Sequence, residues 1–412
     1  MGGVLWKSPD FLKFWAGQTV SLFGDQFSYL AIPLVAALTL RASPFEMGLL
    51  GVAQFLPGPL FGLLAGVWLD RTHRLPVVVG SQLVNMAALA TIPAAALAHV
   101  LTLPQLYLVA FLTGTGYTVA RISQVAYIPT LAGRENLVEA NAKYQTSLTV
   151  ASLLGPGLAG LAVQVLTAPI ALAFDAFSFL VGAVTAAWIR LSEPDPAPAA
   201  DRDVLAEARE GLVFLWQHPL VRSISLTILA TNSSSRLSAA VFVLLFVGRL
   251  GLTPAQLGLT FAAASVSSLA GAQLAKPLID RLGVGPIMVS GTVLLSVGLA
   301  FSIPAALAPR PWVFPLLVAG SLVLGFGLMT YNVNQQAIRG AVIPNQMLGR
   351  VSAGLFVLVA VGNVAGALVG GILGQSIGLF GTLVVATVLG AAGALPAIFS
   401  PLSRLRGVPA PE

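Results

Sequence analysis

The chain has 412 residues, 57% of them hydrophobic and only 9% charged, where a soluble globular protein carries about 25% charged residues. So few charges cannot clothe two or three soluble domains, which excludes that class. Lipid is the solvent for most of the chain, and at about 20 apolar residues per crossing there is room for twelve transmembrane helices.

Cysteine is absent, which excludes disulfides, thiolate nucleophiles and Cys-based zinc or iron–sulfur sites. His73, His99 and His218 fall in or beside expected loops, without partners at metal-ligand spacing. The net charge of +6 is spread as single and paired bases between apolar runs, a topology signal rather than a nucleic-acid footprint. None of Lys7, Lys13, Lys143 and Lys276 follows a glycine, so a P-loop is missing and the energy for any transport comes from a gradient or a partner. The first apolar run contains Asp25 and lacks a small-residue cleavage pattern behind it, so it reads as a retained helix and not a signal peptide.

Hydropathy and punctuation place the helices, in chain order, at 14 to 39, 46 to 69, 76 to 98, 104 to 127, 145 to 166, 169 to 190, 223 to 247, 256 to 279, 286 to 308, 313 to 338, 351 to 376 and 379 to 399. The fold class is an all-α membrane protein of two pseudo-symmetric six-helix bundles, 1–190 and 223–412, joined by a cytoplasmic linker at 191–222. With the N-terminus inside, the bases fall overwhelmingly at cytoplasmic helix ends. Only Arg41, Arg249 and Arg310 lie outside and Arg236 within, which puts both termini in the cytoplasm. In the linker, prolines and acids from Ser192 to Asp203 give way to Val204, Leu205, Ala208, Leu212 and Leu215 at helical spacing, an amphipathic helix for the inner membrane surface.

The halves look duplicated. Ser43-Pro44-Phe45-Glu46-Met47-Gly48 and Thr253-Pro254-Ala255-Gln256-Leu257-Gly258 share an offset of 210, as do Asp70-Arg71 and Asp280-Arg281. Duplicated six-helix halves mark a transporter whose site lies between repeats.

Gly66-Val67-Trp68-Leu69-Asp70-Arg71-Thr72-His73-Arg74 resembles the signature loop between helices 2 and 3 of the major facilitator superfamily, with His73 where a glycine is usual. Gly155-Pro156-Gly157-Leu158-Ala159-Gly160 resembles the antiporter signature of that superfamily. Ser21 to Asp25, Phe174 to Phe179 and Glu210 to Pro219 are similar to the branch that includes macrolide efflux proteins and the enterobactin exporter. The resemblance implies alternating access, export of hydrophobic or amphipathic compounds such as drugs, macrolides or siderophores, coupling to protons, and an inner (plasma) membrane location. It also implies a cytoplasmic gate of Gly66, Asp70, Arg71, Arg74, Asp280 and Arg281; Arg121 and Arg339, toward the inner ends of helices 4 and 10, are expected to snorkel to the cytoplasm, with pairing to Asp280 or Asp70 as the alternative. The helix 4 arginine usual in proton-driven drug antiporters is missing, since 106 to 113 holds no base.

Three charges lie well inside expected helices, at a cost of about 3 kcal/mol each: Asp25, Asp175 and Arg236. Asp25 and Arg236 stand at nearly equivalent mid-depth places in helices 1 and 7 and are expected to pair; protonation of Asp25 then breaks the pair, or the pair is permanent and only neutralises two charges. Asp175 reads as shallow and structural, with proton or substrate binding as the alternative. Gln18, Gln26, Tyr29, Gln54, Tyr117, Asn232, Asn332, Asn334, Gln335 and Asn363 are amides and phenols isolated in apolar helices, suited to an amphipathic substrate cavity, with some of them serving as interhelical glue. The leading expectation is a proton antiporter needing no cofactor or metal and acting as a monomer. Its alternatives are a lipid or lysolipid transporter and a proton symporter for a small metabolite. A membrane enzyme is disfavoured because the sequence shows neither a paired-carboxylate nor a Ser/His/Asp arrangement in the helices. Arginine in excess over lysine, with abundant Ala, Gly and Pro, associates with a GC-rich bacterial genome.

Overall fold

The computed structural model describes residues 3–191, 193 and 204–407, and among them all regular structure is helical. Two compact units emerge: unit 1 comprises Met1–Arg41 and Ala53–Arg202, unit 2 Ala42–Val52 and Asp203–Glu412. Ten helices among the described residues are long and apolar enough to cross a membrane.

The chain begins with α1 (Pro9–Leu34), started by Pro9 at its first position and by Ser8, whose hydroxyl accepts from the Phe11 N–H. α2 (Pro44–Phe55), whose first turns belong to unit 2, is followed after Leu56 by α3 (Pro57–Asp70). Pro57 and Pro59 remove two ladder donors there, so the expected second crossing is interrupted at Leu56. Next come α4 (Arg74–Leu97), α5 (Leu103–Ala132), α6 (Leu137–Leu166) and α7 (Ala168–Ala187). Both α5 and α6 run several residues farther at their base-bearing ends than hydropathy suggested. Pro129 in α5 and polar residues such as Glu139, Asn141 and Lys143 in α6 obscure the hydropathy signal without breaking a helix.

Unit 1 is knit by the α1–α7 and α4–α7 seams. Small residues allow the approach: a Cβ on Gly17 would meet the Thr185 side chain at 2.0 Å, and one on Gly182 would meet Gln82 at 2.9 Å. At its base-bearing end, Lys143 Nζ lies 3.5 Å over the Trp6 ring and the Lys143 carbonyl accepts from Trp15 Nε1, which seats the N-terminal turn.

Unit 2 carries α8 (Val204–Gln217), the amphipathic helix expected from the linker, then α9 (Pro219–Val243), α10 (Pro254–Leu282), α11 (Val284–Ala300), α12 (Ser302–Leu307), α13 (Arg310–Val342), α14 (Leu348–Ser376), α15 (Gly378–Ala392) and α16 (Leu395–Phe399). The expected ninth and twelfth crossings are each in two pieces, α11 with α12 and α15 with α16. The glycine stripe of α14, Gly362, Gly366 and Gly370, packs on the seventh helix, α9. A Cβ on Gly366 would lie 2.5 Å from the Ser233 carbonyl oxygen and one on Gly370 would lie 2.7 Å from that of Leu237. Farther along α14, Gly371 and Gly374 approach Gly48 and Pro44 of α2.

The duplicated segments have the same local physics. Ser43 and Glu46 exchange hydrogen bonds with each other's backbone N–H groups (2.6 and 3.3 Å), and Thr253 and Gln256 do the same (3.0 and 3.2 Å), giving reciprocal capping boxes for α2 and α10. At the same offset of 210, α1 and α9 both end in a wider π-type turn, at Val35–Thr39 and Leu244–Arg249. Each turn is followed by a residue at positive φ: Arg41 at 53° and Gly251 at 75°.

Candidate functional site

The structure brings two intramembrane acids of unit 1 together. Gly24 of α1 sits against α7 so closely that a Cβ there would meet Ser178 Oγ at 2.0 Å and Asp175 Oδ1 at 2.4 Å. This lack of a side chain lets the Asp175 carboxyl lie fully buried, at 0% exposure, against the neighbouring helix. Ser28 of α1 donates to Oδ2, and Ser178 donates to Oδ1 at 3.0 Å as well as to the Asp175 carbonyl at 2.8 Å. Asp25, one residue beyond Gly24 and only partly buried, has Asp175 as its acidic neighbour. Phe27 and Phe174 flank the pair with their ring centroids 5.5 Å apart.

Asp175 is thus buried against α1 with Asp25 as an acidic neighbour, a proximity that is invisible in the linear sequence. Ser28 and Ser178, missed as site residues, are its donors. Two carboxyls in an apolar interior face a choice: both charged, at a high cost, or one proton held between them. One member anchored by two hydroxyls beside a second that carries no such anchor is a suitable arrangement for sharing and releasing one proton.

The antiporter-like run lies beside this site. Gly155 and Pro156 are buried in α6, and a Cβ on Gly155 would lie 2.4 Å from the Gln26 side chain. Gly160 is also buried and Gly157 partly so. Gln18 is buried and accepts from Gln124 Nε2 of α5, which makes it a tie between helices. Tyr29 and Tyr117 are about half exposed. Gln54 is partly buried, and its carbonyl oxygen would meet a Cβ on Gly114 at 2.3 Å.

Two further amides on α4 escaped notice in the sequence. Gln82 and Asn85 are each 2% exposed, and Gln82 Oε1 and Asn85 Oδ1 have no hydrogen-bond partner. The signal that could have found them is a pair of amides three residues apart in an apolar helix, facing glycines on two others: Gly182 of α7 and Gly116 of α5.

Arg236 belongs to unit 2, whereas its expected partner Asp25 belongs to unit 1. Within its own unit Arg236 donates through Nε to Asn363 Oδ1 at 3.2 Å, joining α9 to α14. Asn232 donates to the Ile228 carbonyl and Asn334 to that of Thr330, each within its own helix, and Asn334 Oδ1 is buried without a partner. Gln335 accepts from Arg339 Nη1 at 3.2 Å, and Asn332 is partly buried.

At the base-rich end of unit 1, the start of α4 has a carboxylate on it, that of Glu193. Its Oε2 takes the N–H groups of Arg74 and Leu75 at 2.7 and 3.2 Å, and its Oε1 lies 3.6 Å from Arg74 Nη1. Gly66 and Asp70 fall on α3, and their side-chain surroundings lie outside the described residues. Arg71 and Arg121 are exposed in unit 1, Asp280 and Arg281 in unit 2.

A helical membrane chain with an internal duplication has the build of a membrane transporter. Comparison with known proteins makes the assignment specific: the family model described as Major Facilitator Superfamily matches residues 14–248 and 224–411, and the chain belongs to that family. It is 26% identical over 387 residues to the multidrug efflux pump Tap of Mycolicibacterium fortuitum, covering 91% of both chains. It is also 26% identical to macrolide efflux protein A of Streptococcus pyogenes, over 52% of each chain. Among solved structures, a mutant of the nucleoside transporter NupG superposes with a TM-score of 0.76 at 13% identity, over 94% of this chain and 99% of that one, a likeness of fold.

Proposed function

We propose that this transporter is a proton-coupled exporter of hydrophobic or amphipathic compounds, working by alternating access, with Asp25 and Asp175 as the proton site. The observation that carries the reading is the buried, serine-anchored Asp175 beside Asp25 in the α1–α7 seam. In this mechanism Asp175 is held by Ser28 and Ser178 while Asp25 exchanges a proton with water. A proton on the pair removes one of two neighbouring charges, and its loss restores the repulsion. The two protonation states therefore favour different packings of α1 on α7, and Gln26, in contact with α6 at Gly155, passes the change to the helix bearing the antiporter-like run. The similarity to Tap and to macrolide efflux protein A supports export and an amphipathic substrate. Twelve crossings, both termini in the cytoplasm and an inner-membrane location complete the reading.

The test is transport of a macrolide and of a lipophilic fluorescent dye by proteoliposomes under an imposed proton gradient. Wild type is expected to move at least one of them against its gradient only while the proton gradient lasts. Asp25→Asn and Asp175→Asn each lose gradient-driven transport by about 5- to 150-fold, the range of an ordinary coupling free energy, while retaining gradient-independent substrate exchange. Wild-type transport indifferent to the proton gradient, or an undiminished gradient response in both variants, overturns the proposal.

A further inference from the structure

Gln82 of α4 stands outside the serine-anchored acid pair but close to it. The residue is 2% exposed, its Oε1 has no hydrogen-bond partner, and its carboxamide reaches α7 at Gly182, where a Cβ would lie 2.9 Å from Nε2. α1 comes to the same glycine: a Cβ on Gly17 would lie 3.3 Å from the Gly182 Cα. Three helices of unit 1 therefore meet at Gly182, one turn along α7 from Ser178, a donor to Asp175.

The facing side of α1 puts a hydroxyl between these points. Gly17, Ser21 and Gly24 are spaced i, i+4 and i+7 and share a helix face. Gly17 lies against Gly182 and Gly24 against Ser178, so Ser21, which is 5% exposed, faces α7 between the two. Residues four apart on a helix stand about 5–6 Å from each other, the span of two hydrogen bonds through one water. A buried water takes about three polar partners, and Gln82 Oε1, Ser21 Oγ and Ser178 Oγ supply them. The Ser178 hydroxyl itself lies 2.8 Å from the Asp175 carbonyl oxygen and 3.0 Å from Oδ1, with one hydrogen to give. A water donating to its lone pair strengthens that hydroxyl as a donor, most of all toward an ionised carboxylate.

We infer, on the reading of Asp25 and Asp175 as the proton site, that Gln82 is a positioning residue for it: Oε1 anchors a water that donates to Ser178 and aims the Ser178 hydroxyl at the Asp175 carboxylate. Of the elements packed on α7, α1 faces Asp175 with Asp25 and carries Tyr29 one turn beyond. The other titratable groups on these helices, Asp10 and Lys13 of α1, Arg74 of α4, and Glu139, Lys143 and Tyr144 of α6, stand near the helix starts at the base-bearing end, and the Val35–Thr39 turn carries none. Gln82 is thus the group through which α4 acts on the site.

The test is an infrared pH titration of the full chain reconstituted in lipid, which needs no transported compound. The protonated-carboxyl band that Asp175→Asn removes reports the proton on the site. Gln82→Met removes the acceptor at nearly the same side-chain volume, and Gly182→Ala pushes the amide from the junction without changing its chemistry. Each is expected to move the midpoint of that band to higher pH by about half a unit to one unit, the worth of one ordinary hydrogen bond. Asn85→Leu is the control. Asn85 is as buried as Gln82 and its Oδ1 also has no partner, but it faces Gly116 of α5, so its loss leaves the midpoint in place. A midpoint unmoved in both Gln82→Met and Gly182→Ala, or moved as far by Asn85→Leu, overturns the inference and leaves the proton site standing. A wild-type protein with no titrating band that Asp175→Asn removes overturns both.

Discussion

Gly24 of α1 and Ser234 of α9 occupy equivalent places in the duplication, and both lie on the seam with the last long helix of their unit. In unit 2, Ser234 donates to the Ala386 carbonyl of α15 at 2.6 Å. In unit 1, Gly24 leaves room for the side chains of Asp175 and Ser178 on α7. The left-handed residues Thr167 and Gly378, which open α7 and α15 at φ values of 86° and 82°, set the later offset at 211, so Asp175 corresponds to Ala386. The same helix pair therefore meets at the same height in both copies, once through a hydroxyl on a backbone oxygen and once through a buried carboxyl. A hydroxyl on a backbone oxygen suffices for packing in unit 2, whereas unit 1 places a buried, hydrogen-bonded carboxyl at the same height.

Exchanging the two solutions breaks this comparison most directly. Gly24→Ser places a side chain where Ser178 and Asp175 already are, forcing both from their hydrogen-bonded positions. Overpacking of this kind costs about 1–3 kcal/mol. The expected result is a clear fall in the thermal midpoint of the detergent-solubilised protein together with loss of gradient-driven transport. The reciprocal Ser234→Gly loses one hydrogen bond, about 1 kcal/mol, along with some helix propensity, and is expected to keep its transport. If both exchanges lowered stability equally and left transport intact, the seam would be structural in both units.

A smaller effect is expected at the α4 start. Glu193 is a charge-bearing cap 119 residues away in sequence from the N–H it accepts, and its side chain is 7% exposed. Among the described residues of unit 2 no acid accepts at the corresponding start of α11, which opens at Gly283, where the Gly285 N–H donates to the Leu405 carbonyl at 2.8 Å. Glu193→Ala removes an acceptor for two helix N–H groups and a helix-dipole partner, with an expected loss of about 1–2 kcal/mol, read as a lowered thermal midpoint. An unchanged midpoint would mean that water replaces the carboxylate without loss.

These contrasts explain what could be read in the sequence. Helix starts such as Ser43-Pro44 and Thr253-Pro254 are legible because a cap and its partner lie three residues apart, and the α8 stripe because a helix face repeats over one or two turns. The long apolar runs report the solvent, and with it the fold class. What escapes is what only tertiary contact creates. Asp175 looks solitary because its donor Ser28 and its neighbour Asp25 are about 150 residues away, on a helix whose facing side is set by glycines. Glu193 looks like linker because its partners belong to α4. Gln82 and Asn85 look like any polar residue until Gly182 and Gly116 bury them.

The smallest expected effect is also the cleanest measure of the duplication. Arg41 and Gly251 follow the paired π-type turns at the ends of α1 and α9, both at positive φ. Glycine adopts that conformation freely, whereas a side chain there costs roughly 1–2 kcal/mol. Arg41 has no structural need of its side chain for the turn, because Gly251 makes the same one. Arg41→Gly should therefore relieve strain, less the entropy that glycine adds to the unfolded chain, for a net gain of about 0.5–1 kcal/mol seen as a modest rise in the thermal midpoint. Gly251→Arg, installing the strain in the other copy, should lower it by a similar amount. A fall in the midpoint of Arg41→Gly would show that the guanidinium makes a contact worth more than the backbone strain it imposes, and that the two turns, alike in backbone, are held by different forces.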